Sequence, residues 1–100
     1  MIRALVGYKV KSGVDILPIL LQLRSSEMSY PGFISSENLQ STDDSHTVVT
    51  MGTWNKLTDW KAWESSKVRQ SILTQLEGQL LDTPKVTIYS VMPTVGWLIR

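Results

Sequence analysis

The sequence predicts an α+β domain in a split βαβ arrangement with a four-stranded antiparallel sheet, and three observations carry that prediction. Near both ends of the chain, residues 2–10 and 85–92 alternate between two sets of side chains, the period-two mark of half-buried strands. Two interior stretches repeat apolar residues at spacings of three and four, as one stripe of a helix does. Between those stretches lie a serine-rich segment, a short Ser/Asp turn and a β-branched run, which together read as a hairpin. The order is strand, helix, strand, strand, helix, strand.

The first strand places Ile2, Ala4, Val6, Tyr8 and Val10 on one face and Arg3, Leu5, Gly7 and Lys9 on the other. Lys11-Ser12-Gly13 breaks it, and Leu17, Leu20, Leu21, Arg24 and Met28 then form the expected helix stripe. Pro18 is compatible with the first turn, where its missing N–H has no intrahelical acceptor, with Val14 or Asp15 as the cap. Tyr30-Pro31-Gly32 stops the helix, and residues 33–41 form a polar strand suited to a sheet edge. Residues 41–45 turn, and residues 46–54 return as the hairpin partner, with Val48, Val49, Thr50, Met51 and Thr53. Asn55 is placed to cap a helix carrying Leu57, Trp60 and Trp63, and Ser65-Ser66 to recap a second segment with Val68, Ile72, Leu76 and Leu80 on one stripe. Asp82-Thr83-Pro84 closes that segment, and the last strand runs to Pro93.

With right-handed crossovers this order gives a ferredoxin-like sheet with the helices on one face. Leu5, Val91 and either Val48 or Val49 then fall on the uncovered face, so a second copy of the chain is expected to cover it. The expected division is one domain over residues 1–93 and an apolar tail over residues 94–100 that docks on the partner subunit.

Composition bounds the function. A chain of 100 residues, 42% hydrophobic and 19% charged, suits one globular domain with a modest core. A net charge of +1 offers no field for nucleic acid or an acidic membrane surface, and no apolar run approaches a membrane span. The absence of cysteine removes disulfides, thiolate metal sites and cysteine nucleophiles. The expectation is a cytoplasmic protein without nucleic-acid or membrane partners. Three of the four tryptophans, Trp54, Trp60 and Trp63, crowd one strand-to-helix junction, which should line a core or a cavity.

Tyr30-Pro31-Gly32-Phe33, the Asp43-Asp44 hairpin before a β-branched strand, and Thr53-Trp54-Asn55 leading to Trp60 and Ser65-Ser66 resemble, in order and spacing, the antibiotic biosynthesis monooxygenase (ABM) family. The resemblance covers residues 2–92. It implies a dimeric α/β barrel, a homodimer packed through its sheet faces with a pocket between sheet and helices in each subunit. It also implies one of several activities: oxidation of small aromatic or quinone-like compounds without metal or organic cofactor, haem cleavage, or none assigned. Around Thr58-Asp59-Trp60 the chain is similar to the haem-cleaving branch. However, it carries Gly7 where that branch has an asparagine, and Leu73 where it has the iron-ligating histidine.

Oxygenation without a cofactor draws electrons from the substrate itself, so it needs aromatic walls, hydrogen-bond donors for a developing oxyanion and exclusion of water. Trp54, Asn55, Trp60, Tyr8 and Tyr89 are the pocket candidates, with Trp54 and Trp60 as walls and Asn55 or Tyr89 on a polar substrate atom. Trp63 reads as helix packing, His46 as an exposed hairpin residue, and Glu37 and Glu64 as surface carboxylates. No glycine-rich phosphate loop, nucleophile elbow or metal-spaced His/Glu set is present. The alternatives are a non-catalytic ligand-binding domain and a purely structural dimeric one, which an open or a packed pocket would tell apart.

Overall fold

The computed structural model describes residues 1–93. It contains strand β1 (Ile2–Lys9), helix α1 (Leu17–Glu27), strands β2 (Phe33–Gln40) and β3 (Thr47–Trp54), helices α2 (Leu57–Glu64) and α3 (Lys67–Leu73), a 3-10 turn (Thr74–Leu76) and strand β4 (Lys85–Ser90). The strands lie in the order β2-β3-β1-β4, all neighbours antiparallel, which is the ferredoxin-like α+β arrangement. The expected tail over residues 94–100 lies outside the described residues.

β1 is central and its alternation is strict. Ile2, Ala4, Val6 and Tyr8 are buried on the helix side, continued by Val10, while Arg3, Leu5, Gly7 and Lys9 face the other way. The register carries this pleat across the sheet: Trp54, Gly52, Thr50 and Val48 of β3 stand opposite Ile2, Ala4, Val6 and Tyr8. Val86 and Ile88 of β4 extend the same face opposite Val6 and Ala4. β2 is an edge strand, as its polar composition predicts. A register shift between Phe33 and Ser35 sets Ser36 and Asn38 on the helix side.

α1 begins at Leu17 with Pro18 in its first turn; the cap position is Ile16, not Val14 or Asp15, and it makes no side-chain cap bond, although Asp15 Oδ1 accepts the Leu17 N–H at 3.0 Å. The buried stripe is Ile16, Ile19, Leu20, Leu23 and Glu27, not the one starting at Leu17. Leu17 and Leu21 are 46% and 50% exposed, and Arg24 and Met28 also face outward. Both stripes are apolar over the first two turns, so periodicity alone could not choose between them; the rotation in which α1 packs on the sheet did.

Two expectations about the second helical region are also corrected. Asn55 does not cap α2: the cap position is Lys56, and Asn55 instead donates its backbone N–H to the Gly32 carbonyl at 2.7 Å. The row Val68, Ile72, Leu76, Leu80 is not one helix. α3 tightens into the 3-10 turn after Leu73, Gly78 takes a φ of 78°, and Leu80 pairs with Val10 as an isolated bridge. Ser66 does cap α3, its hydroxyl accepting the Arg69 N–H at 3.2 Å. β4 ends at Ser90, and the Val91 N–H bonds the Met1 carbonyl. On the uncovered sheet face, Leu5 and Val49 are joined by Leu39, Met51 and Tyr89.

Candidate functional site

The helix-facing side of the sheet and the inner faces of α1, α2 and α3 enclose a small, mostly apolar cavity within the core. Ala4, Val6, Leu20 and Leu23 form its apolar walls, and Tyr8, Glu27, Trp60, Trp63 and Arg69 bring polar groups to it. Thr50 and Gly52 of β3 complete the lining. Its free volume is about 20 Å³, room for about one water. Beside it, between the first turns of α1 and the end of the β2–β3 hairpin, lies a more open cleft of about 280 Å³ lined by Val14, Ile16, Leu17, Asn38 and Val48. Leu20 lines both.

Each polar group is held by a local device. Trp60 and Trp63 come from the inward face of α2, and Tyr30 packs edge-on against Trp63 at 4.9 Å. Trp54 ends β3, fully buried, with Phe33 and Trp60 edge-on to it at 5.4 and 6.0 Å. Its indole Nε1 lies over Gly52, where a Cβ would stand 3.2 Å away, so glycine leaves the space that the ring occupies. The Ser66 cap fixes the start of α3 and thereby Arg69, whose guanidinium lies over the Trp60 ring at 5.6 Å and donates to the Glu64 carbonyl at 3.4 Å.

The electrostatics are those of a buried site. Burial pushes the Glu27 carboxyl up to about 7, against the opposing pull of the Ser36 hydroxyl, Arg69 and Arg24. Burial also raises Tyr8 to about 12, so its phenol stays neutral; Arg69 and a hydrogen bond with Thr50 work against the shift, and Glu27 adds to it. Thr50 in turn donates to Asn38 Oδ1 at 2.9 Å, linking the cavity to the cleft. Glu27 and Arg69 are only 5% and 9% exposed, yet neither makes a contact ion pair among the described residues. Among the described residues the buried indole N–H groups of Trp54 and Trp60 find no acceptor. Such orphaned donors cost about 1–3 kcal/mol each unless something accepts from them.

Of the residues singled out in the sequence, Tyr8 and Trp60 line the cavity, whereas Trp54 is fully buried against Trp60 and does not line it. Asn55 and Tyr89 do not line it either: Asn55 is exposed beyond the end of β3, and Tyr89, 56% exposed, sits on the opposite face of the sheet. Trp63 is more than helix packing, since it lines the cavity. Glu27, Arg69, Thr50 and Gly52 were missed. The signal for Glu27 was its place on the row Ile16, Leu20, Leu23, Glu27, where a carboxylate continues an apolar stripe. His46 is half-buried rather than exposed, its Nδ1 2.8 Å from the Val10 carbonyl, and it lies outside the cavity. Asp44 is held below the usual carboxylate range by the His46 N–H, the Thr47 hydroxyl and Lys9, a turn anchor rather than a cation site. Gly7 faces the uncovered side of the sheet and Leu73 packs against the core away from the cavity. Among the described residues no three His, Asp or Glu side chains converge as metal ligands, and no helix is long and apolar enough to cross a membrane.

Several solved structures share this fold. A candidate antibiotic biosynthesis monooxygenase of Nitrosomonas europaea superposes with a TM-score of 0.79 at 18% identity, covering 93% of this chain and 100% of that one. SnoaB, a cofactor-independent oxygenase of Streptomyces nogalater, gives 0.80 at 14% identity over 94% and 95% of the two chains. A protein of Methanosarcina mazei gives 0.80 at 17% identity over 88% and 89%. At these identities the likeness is one of fold. No curated protein sequence matches the chain. The antibiotic biosynthesis monooxygenase family model does, over residues 1–74, and the chain belongs to that family.

Proposed function

We propose that the protein is a monooxygenase that oxidises a small aromatic or quinone-like compound with molecular oxygen, the substrate itself supplying the electrons and neither metal nor organic cofactor taking part. The observation that carries this reading is the Trp60 N–H, buried without an acceptor among the described residues, on a side chain that lines the cavity together with Arg69. A phenol or cyclic ketone reacting with oxygen passes through an enolate or phenolate. Donors already aimed at the position of that oxygen stabilise the anion with little reorganisation. The apolar walls exclude water. The cavity alone admits only the reacting end, so the ring system would occupy the cleft beside it, with Leu20 moving aside. For an anthrone the balance is simple: the methylene becomes a carbonyl, and the second oxygen atom leaves as water.

Family membership and the fold shared with SnoaB support the same reading. The test is oxygen consumption across anthrone, a naphthohydroquinone and haemin, with a buffer control. Uptake with anthrone or the quinol and none with haemin is expected. Trp60→Phe, which keeps most of the ring bulk and removes the N–H, should lower kcat about 100–1000-fold, the scale of losing one oxyanion donor. Uptake equal to that in buffer for all three compounds would sink the reading and leave a binding domain.

A further inference from the structure

No polar side chain at the cavity except one can take up a proton near neutrality. The indole of Trp60 and the guanidinium of Arg69 can only donate, and the buried Tyr8 phenol is neutral. Glu27 is the exception. It is the one carboxylate among the lining residues, it comes from the last turn of α1, and it is almost completely buried. Among the described residues no cation pairs with it in direct contact, so fold stability alone gives little reason for an acid at this position, and an apolar residue would continue the stripe of Leu20 and Leu23.

Resting on the oxygenase reading above, we propose that Glu27 is the catalytic base, its carboxylate taking the proton from the substrate carbon or phenolic oxygen that enters the cavity. In the step, the C–H or O–H bond breaks and the proton passes to a Glu27 carboxylate oxygen. The electron pair stays on the substrate as an enolate or phenolate, and Glu27 becomes the neutral acid. Molecular oxygen then oxidises the anion. The placement separates the two tasks: Trp60 and Arg69 receive the developing oxyanion from α2 and α3, and Glu27 receives the proton from α1. The groups facing Glu27 are Tyr8 of β1, Ser36 of β2 and Arg69 of α3, with Arg24 on its own helix. The two arginines favour the ionised carboxylate and burial opposes it, which leaves a base able to act near neutrality.

Anaerobic anthrone at pH 8 tests the proton transfer apart from oxygen chemistry, because ionised anthrone absorbs at longer wavelength than the neutral compound. The wild-type protein should bind anthrone, seen as quenched tryptophan fluorescence, and develop the enolate band, with its amplitude rising through a limb near pH 7. Glu27→Gln should still quench but lose the band at least tenfold, and Glu27→Asp, which keeps a carboxylate, should retain part of it. A band of equal size in Glu27→Gln would overturn the proposal, as would bound anthrone that stays neutral in the wild type or no quenching at all. Admitting air then examines the oxygenase reading separately. Decay of the band with oxygen uptake supports both, whereas a band that persists without uptake supports the base and overturns the oxygenase.

Discussion

A buried carboxyl makes stability depend on pH in a direction that is easily mistaken. Glu27 has an ordinary value of 4.5 and is raised to about 7 in the fold, so between these values the native state holds a proton that the unfolded chain has lost. Stability contributed by this group is therefore full below pH 4.5, falls as pH rises through 7, and is lowest above it. The loss is at most about 3 kcal/mol. Glu27→Gln cannot ionise, so thermal melts of wild type and variant should diverge between pH 5 and pH 8, the wild type losing more. Parallel melting curves across that range would show that the carboxyl is not desolvated in the fold. Tyr8 contributes nothing to this slope near neutrality, since its phenol is protonated in both states. Gly32 acts at the same scale. It follows Pro31 in a turn closed by the Phe33 N–H on the Tyr30 carbonyl, takes a φ of 85°, and would drive any Cβ into the Asp59 carboxylate. The Tyr30-Pro31-Gly32 motif and the Asp59-Trp60 pair, far apart in sequence, thus describe one contact.

Among the elements, α3 is the shortest helix and the one that places the cation. Its seven residues could not persist alone, and its start depends on Ser66, whose hydroxyl accepts from Arg69 and donates to the Trp63 carbonyl at 2.7 Å. Ser66→Ala should cost about 1 kcal/mol, measured by denaturant midpoint. Because Arg69 stands at that first turn, the same change should lower turnover of an accepted substrate more than a stability loss of that size would. A variant that is destabilised but fully active would show that Arg69 is held by its packing on Trp60 instead. α1 carries a different lesson. Its apolar residues cover more than half its circumference, and the stripe that was buried is the one ending in a carboxylate. A helix this apolar leaves Leu17 and Leu21 exposed without weakening the fold, since single exposed leucines are ordinary.

At the scale of the whole molecule, one sheet face is packed and the other is not. Leu5, Val49 and Met51 are half-buried by their own neighbours, Leu39 is 43% exposed, and together with Tyr89 they form an apolar patch across all four strands. The homodimer expected from the sequence would cover this patch. Sedimentation should show a dimer for the wild type and a monomer for Met51→Glu, and a wild type that stays monomeric at micromolar concentration would remove the proposal. Much of this was legible in the sequence. Alternation in β1, the polar edge strand, the hairpin, the Ser66 cap and the family resemblance all depend on local spacing, and local spacing is what a sequence displays. The packing of Trp54 on Trp60 could also be foreseen, because large aromatic residues at a strand-to-helix junction have few places to go. What only the tertiary structure decided was the rotation of α1 about its axis, the break of the second helical row after Leu73, and the faces on which Asn55 and Tyr89 fall. These turn on the fit of one element against another, not on the residues within either. The rotation of α1 mattered most: it buried Glu27 against Arg69 and Tyr8, and an acid that reads as the polar end of a helix became the one proton acceptor at the cavity.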